Sequence, residues 1–319
     1  MKPPIILGVD IGGTKVIASL VSATGEVVAT TSFPSGYEFS VVQFTECIST
    51  SLTHLQAVSG ENPVAVGVGA AGLIEKNSGV ITTSPNLKNW TGVPLKQILQ
   101  DAFSIPSLVT NDVHAAAFSE WNIGSGKDTN DVACLFVGTG IGCGIVTEGR
   151  LLLGKSGHAG ELGHATIDVN GPICRCGNRG CLESLAGGWG IGSRAQKAVK
   201  LDKVAGTTML EIAHGKIEDV SAKTVSQAFQ QNDLLATEIM NNTAEYLAVG
   251  VKSIVNIFNP SKIVLGGGVI EGTEKLIDMI RDRSINALDD EVEIVKSELG
   301  SFATVVGAAL MATAVITTQ

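Results

Sequence analysis

One short device occurs twice in the chain, and it limits the available folds more than any other feature. Residues 5–9 are apolar and β-rich and end on Asp10-Ile11-Gly12-Gly13-Thr14-Lys15. A second strand is predicted over 16–21, a turn at Thr24-Gly25 and a third strand over 26–31. Residues 132–137 start the pattern again. They are apolar and β-like, end on Gly138-Thr139-Gly140-Ile141-Gly142-Cys143-Gly144, continue through Ile145-Val146, turn at Glu148-Gly149 and resume over 150–153. A weak internal repeat of this kind predicts two related domains facing each other.

The segments around the repeats read as alternating helices and strands. Val41, Phe44, Ile48, Leu52 and Leu55 recur at helical spacing. Strands are predicted over 63–68, 107–110 and 263–265, and helices over 93–103, 113–121, 235–258 and 274–288. Alternation of this sort implies an α/β layer architecture. The length, 319 residues, suits two domains. No low-complexity linker separates them, and a hinge is expected over 122–130, where Gly124, Ser125, Gly126 and Asp128 cluster.

Composition removes several alternatives. A formal charge of −9 is the wrong sign for a general nucleic-acid binder. Hydrophobic residues make up 44%, too many for a disordered chain. Asp10 interrupts the only candidate signal-peptide core. The longest apolar segment, 302–316, is too short to span a bilayer and reads as a buried terminal helix. A cytoplasmic protein without a membrane partner is therefore expected. Glycine is the outlier, with 38 residues, of which 16 fall within 138–192. That concentration suggests backbone brought close to ligands.

A glycine-rich turn between strands exposes backbone N–H groups on which phosphate oxygens can sit. Gly12-Gly13-Thr14 adds a hydroxyl and Lys15 a charge, and Gly138-Thr139-Gly140 is a second copy. The competing explanation is a pair of tight hairpins in which glycine supplies positive φ. Two familiar motifs fail. The stretch 8–15 resembles a phosphate-binding loop but ends Gly13-Thr14-Lys15 and leads into a strand rather than a helix. Gly67-Val68-Gly69-Ala70-Ala71-Gly72 has dinucleotide-fingerprint spacing, but 73–80 does not read as a helix, and no acid ends a second strand about 20 residues on.

Asn111-Asp112 falls where a strand stops and a helix starts. Ligands in open α/β sheets bind beyond the carboxyl ends of strands, and a carboxylate there can take a proton from a substrate hydroxyl. A helix cap is the alternative role for Asp112. The same choice applies to Asp10, where a strand-end acid can orient a metal-bound water. The strongest local signal is His164 followed by Cys174-Arg175-Cys176-Gly177-Asn178-Arg179-Gly180-Cys181. Cys3His is an ordinary tetrahedral zinc set, and with four protein ligands the metal would be structural. It would pin a loop carrying Glu161, His164 and Glu183, whose carboxylates are candidates to accept a ligand's hydroxyls. His158 has no evident partner and reads as an ordinary surface or core side chain.

Together these residues resemble the ROK family (repressors, open reading frames and kinases), and among its members the glucokinases. The similarity runs through Gly8 to Lys15, Gly69-Ala70-Ala71-Gly72, Pro85-Asn86-Leu87 with Trp90, Asn111-Asp112, Gly138 to Gly144, Gly160-Glu161-Leu162-Gly163-His164, the cysteine knuckle with Glu183, and Gly266-Gly267-Gly268. Ala71 replaces a proline frequent in the family. The resemblance implies a two-lobed, actin-like, ribonuclease-H-like fold closing on ATP and a hexose, with lobes at 1–121, completed by a terminal helix at 303–319, and at 122–302, the latter carrying the knuckle 164–181. It implies phosphorylation of the 6-hydroxyl of glucose, with Asp112 as general base. Ala70, Gly72, Asn86, Asn111, Glu161, His164 and Glu183 would join it at the sugar. His164 would meet sugar through one ring nitrogen and zinc through the other. Asp10, Gly12, Gly13, Thr14, Lys15, Gly138, Thr139, Gly140 and Gly142 would serve ATP and Mg²⁺, and Gly267 and Gly268 the adenosine. The family also holds kinases for mannose, fructose, allose, N-acetylmannosamine and N-acetylglucosamine, polyphosphate as a rival donor, dimers and tetramers, and sugar-responsive repressors. Repressors carry a DNA-binding segment ahead of the first loop; with Asp10 so near the first residue, a regulator is the least expected of these.

Overall fold

The structure, a computed structural model, describes residues 2–84, 87–284 and 292–316. Its elements are, in chain order, β1 (Ile5–Ile11), β2 (Lys15–Ser22), β3 (Val27–Pro34), α1 (Val41–Ser59), β4 (Ala65–Ala70), β5 (Leu73–Ile74), β6 (Val80–Thr83), β7 (Val93–Pro94), α2 (Leu95–Phe103), β8 (Ser107–Asn111) and α3 (Asp112–Asn122). There follow β9 (Val132–Val137), β10 (Ile141–Thr147), β11 (Arg150–Leu151), α4 (Leu182–Ala186), α5 (Gly188–Leu201), α6 (Thr207–Ile212), α7 (Ala222–Gln230), α8 (Leu234–Phe258), β12 (Lys262–Gly266), α9 (Gly268–Glu271), α10 (Leu276–Ser284), β13 (Glu293–Lys296) and α11 (Ala303–Ala312). The chain divides into two compact units. One comprises 1–128, 144–160 and 301–319, the other 129–143 and 161–300.

Two five-stranded sheets repeat one order, β3-β2-β1-β4-β8 and β11-β10-β9-β12-β13. In the first, β1 pairs antiparallel with β2 and parallel with β4, which is parallel to β8. In the second, β12 is parallel to both β9 and β13. The repeated motif of the sequence thus becomes a repeated sheet order.

In the first unit, β1 is central and reads as a nearly continuous apolar run, because both its faces are covered. β3 lies at the edge and alternates exposed with half-buried residues. On one face, Leu7, Val9 and Ile11 pack with Phe44 and Ile48 of α1 and Leu95 and Leu99 of α2. On the other, Ile6, Ile17 and Val21 pack with Val305, Val306 and Ala309 of α11. α11 lies so close that a Cβ on Gly67 would stand 1.9 Å from the Ala308 carbonyl oxygen, and one on Gly8 2.3 Å from that of Val305. These two glycines therefore serve helix-on-sheet packing.

The helix predicted over 93–103 begins later, at Leu95. Val93–Pro94 instead forms a short strand paired with Val80 and Ile81. Proline disfavours helical backbone at the residue before it, which explains the delay. The terminal helix ends at Ala312, followed by a single tighter turn over Thr313–Val315. The predicted helix over 274–288 is observed at Leu276–Ser284; Glu274 and Lys275 form a turn before it, and 285–288 lie outside the described residues.

In the second unit the long helix α8 is capped by Asp233, whose side chain accepts from Ala236 N at 2.8 Å, and it stops at Asn259 in left-handed backbone. Its buried stripe, including Ile239, Met240, Leu247, Val251 and Ile254, packs against α4, α5, α7 and α10. Among the described residues, no helix is long and apolar enough to cross a membrane.

Candidate active site

In the first unit, the carboxyl ends of three parallel strands carry the candidate residues. Registers pair Asp10 with Gly69 and Gly69 with Thr110, then Ile11 with Ala70 and Ala70 with Asn111. Asp10, the 69–72 segment and Asn111-Asp112 therefore stand level at the carboxyl ends of these strands. The 69–72 segment turns sharply. Gly72 has φ +128°, and a Cβ there would lie 2.2 Å from the Thr83 carbonyl oxygen, so only glycine fits. Asn86 lies outside the described residues.

The two roles open to Asp112 are separated by its neighbour. Asn111 is the N-cap of α3. Its Oδ1 accepts from Val113 N at 2.9 Å and His114 N at 3.1 Å, while its Nδ2 donates to Gly72 O at 3.0 Å and Asp112 Oδ1 at 2.9 Å. Asp112 is the first residue of the helix, with Oδ1 also accepting from Val113 N at 3.0 Å. The cap is thus supplied by Asn111, which also orients the Asp112 carboxylate. The helix N-terminus favours negative charge at that spot.

The first loop is held by its own hairpin and by Ser35. Gly12 N donates to Lys15 O at 3.1 Å, Ser35 Oγ to Gly12 O at 2.8 Å and Ser35 N to Thr14 O at 3.0 Å. Neither this loop nor the one at Gly138-Thr139-Gly140 contains a left-handed residue. Both loops join neighbouring strands as tight turns, but their glycines supply no positive φ, and space beside Gly138 is open.

Beside the first loop, the Asp10 carboxyl is pushed from 3.8 up to about 7, first by burial and then by the Asp112 charge, with Lys15 pulling the other way. Unfolded chain loses this proton near 3.8 and the fold keeps it to about 7, so stability from this group is fully present below 3.8 and is lost as pH rises to 7. Holding the charged form there costs roughly 4 kcal/mol. We predict that Asp10→Asn melts higher than wild type at pH 8, with the gap shrinking steadily toward pH 4. Melting curves that stay parallel over that range would refute this.

In the second unit, the loop after β9 is joined to the α4–α5 turn. Gly188 N donates to Gly138 O at 2.9 Å and Trp189 N to Thr139 O at 3.1 Å. Gly267 stands beside the end of β9, where a Cβ would meet Val137 O at 2.6 Å. The Gly138-Thr139-Gly140 loop, the 187–189 turn and the Gly267-Gly268 segment thus converge. Glu183 accepts from Ile141 N at 3.0 Å and from the Trp189 indole at 3.0 Å.

Glu161 precedes, and His164 ends, a single turn over Leu162–His164. The His164 Nε2 lies 3.9 Å from Glu161 Oε2, while its Nδ1 lies 3.7 Å from Cys174 Sγ. Cys176 and Cys181 sulfurs are 3.7 Å apart, and the four ligand atoms of His164, Cys174, Cys176 and Cys181 all lie within 4.8 Å of one another. A tetrahedral zinc with Zn–S of about 2.3 Å spaces its sulfurs about 3.8 Å apart. The donor set and its spacing therefore fit zinc. Turns at Cys174 N→Asn178 O (2.7 Å) and Gly177 N→Cys174 O (3.0 Å) fold the cysteines together.

Cys134 and Cys143 are buried in the core, and burial pushes the Cys143 thiol up to about 12, which makes it inert. His158 reaches Ser156 Oγ through Nδ1 at 3.3 Å, while its Nε2 is buried without a hydrogen-bond partner. Ser35, Trp189 and Arg175 were not evident from sequence as parts of these loops. Their contacts link residues distant in the chain or depend on side-chain direction, and local patterning carries neither.

The model of the ROK family matches residues 6–315. The glucokinase of Thermotoga maritima is 33% identical over 312 residues, covering 95% of this chain and 96% of its own. The xylose repressor of Caldicellulosiruptor bescii is 34% identical over 252 residues, covering 78% of this chain and 62% of its own. Among solved structures, the Streptomyces griseus ROK family glucokinase in complex with glucose and AMPPNP superposes with a TM-score of 0.86 at 30% identity, covering 97% of this chain and 99% of that one. The fold is that of the actin-like ATPases.

Proposed function

Because this chain belongs to the ROK family, we propose that it is an ATP-dependent hexose kinase that transfers the γ-phosphoryl group to the 6-hydroxyl of glucose. One observation carries the reading. Asn111 takes over the helix cap and leaves Asp112 as an oriented carboxylate at the carboxyl ends of the strands, beside the first glycine loop. Near-full-length similarity to glucokinases supports the choice of substrate.

In this reading Asp112 takes the proton of the sugar 6-hydroxyl as that oxygen attacks the γ-phosphorus. The bond to the β–γ bridging oxygen breaks in line, and ADP leaves. Backbone N–H groups at 12–14 and 138–140 receive phosphate oxygens, with Thr14, Lys15 and Thr139 adding polar contacts, Gly142 lining the second loop, and Gly267 and Gly268 receiving the adenosine. Mg²⁺, whose water shell Asp10 would orient, would supply neutralisation of the developing charge. Ala70 and Gly72 line the sugar site with Asn86, and Asn111, Glu161, His164 and Glu183 accept or donate to its hydroxyls. Zinc on His164, Cys174, Cys176 and Cys181 supplies rigidity to the segment carrying three of these residues. A homodimer or homotetramer in the cytoplasm is the expected form.

A coupled ADP-release assay with ATP or polyphosphate across glucose, mannose, fructose, allose, N-acetylmannosamine and N-acetylglucosamine tests this. We expect the highest kcat/KM with ATP and glucose. A different preferred hexose would move the substrate and keep the kinase. Hexose binding without turnover on any sugar would favour a sugar-responsive regulator instead.

A further inference from the structure

Glu183 is held by an arrangement that nothing in the kinase reading requires. Its Oε1 accepts the Trp189 indole N–H at 3.0 Å, and its Oε2 accepts Ile141 N–H at 3.0 Å. Trp189 is fixed at its backbone by the bond from its N–H to Thr139 O at 3.1 Å. One face of its ring is covered by Arg175, whose guanidinium carbon lies 4.8 Å from the ring centroid. Arg175 sits between Cys174 and Cys176, so its position is set by the knuckle. Arg175, Trp189 and Glu183 thus form a chain of contacts from the cysteine knuckle to a single carboxylate.

We infer that Trp189 is a positioning residue for the hexose, aiming the Glu183 carboxylate through its indole N–H while Arg175 anchors its ring to the metal knuckle. A carboxylate has about four acceptor sites. The two protein donors use two of them and fix the plane of the group, leaving the others directed for sugar hydroxyls. A cation over an indole face is attractive, so the knuckle restrains the ring as well as the backbone does. Disturbing the knuckle therefore turns the ring, and turning the ring releases the carboxylate. This rests on the reading of Glu183 as a sugar ligand, and the test separates the two.

Trp189→Phe keeps a ring for Arg175 and removes only the indole donor. We expect the KM for glucose to rise about tenfold, the loss of one hydrogen bond to a charged group, with kcat changed less than about threefold and the KM for ATP unchanged. The chain has three tryptophans, so subtracting the Trp189→Phe emission spectrum isolates Trp189. That component should shift when glucose is added and again when a chelator removes the knuckle metal. In Arg175→Met, which keeps the indole donor, the response to chelation should vanish. If Glu183→Gln raises the KM for glucose but Trp189→Phe leaves it within twofold of wild type, the positioning role is wrong and the sugar site stands. If Glu183→Gln itself leaves that KM unchanged, the sugar-ligand reading fails and the positioning role fails with it. A Trp189 emission deaf to chelation in wild type overturns the link to the knuckle.

Discussion

Asp112→Asn should fold, bind glucose with near-normal affinity and turn over at least 10³-fold more slowly. General-base assistance contributes about 10²–10⁴ in rate, and an amide retains the shape of the carboxylate without its capacity to take a proton. The fold should survive because the α3 cap belongs to Asn111, whose bonds to Val113 N and His114 N do not involve the Asp112 side chain. A melting temperature within a few degrees of wild type, glucose binding by calorimetry and single-turnover kinetics together make the test. Turnover within tenfold of wild type would remove Asp112 from the chemistry. By contrast, Asn111→Ala should cost both stability and rate, since Asn111 serves as cap and as partner of Asp112 at 2.9 Å.

The second large effect concerns the knuckle. The purified protein should carry about one zinc per chain. Cys181→Ser should lose it, with the melting temperature falling by about 10 °C. Cys181 is buried and its sulfur lies 3.7 Å from that of Cys176, so it has no substitute ligand nearby among the described residues. The segment it closes begins at Thr166, paired with Cys181 in an isolated bridge, and leads directly into α4 and Glu183. Loss of metal should therefore raise the KM for glucose more than that for ATP. Elemental analysis finding no zinc in fully active protein of unchanged stability would refute the site.

Much of this was legible in the sequence, and the parts that were not share a cause. The paired strand–loop–strand motifs are local, because alternation, glycine position and turn chemistry lie within about 25 residues, and they reappear as two sheets of one strand order. The knuckle was legible because its spacing is itself the ligand geometry. Asn111-Asp112 was legible as a pair but ambiguous in its roles. Either side chain can cap a helix, and only the exact strand-to-helix junction assigns the cap to the first.

Two glycines carry a role that no local pattern records. Gly8 and Gly67 are small because α11, which lies more than two hundred residues away in sequence, packs its backbone onto β1 and β4. Nothing near either glycine records that contact. The clamp on Glu183 was unreadable for the same reason. Trp189 is six residues further on, but its partner Arg175 lies in the knuckle, and the direction of the indole is a property of the folded turn.

Product analysis decides whether this protein transfers a phosphoryl group from ATP to a hexose. Phosphorus NMR of purified protein with magnesium, ATP and glucose should show a sugar 6-phosphate appearing in equal amount to ADP, with no ADP formed when glucose is omitted. ADP formation indifferent to glucose and to every other hexose, with no sugar phosphate detected, would contradict that transfer.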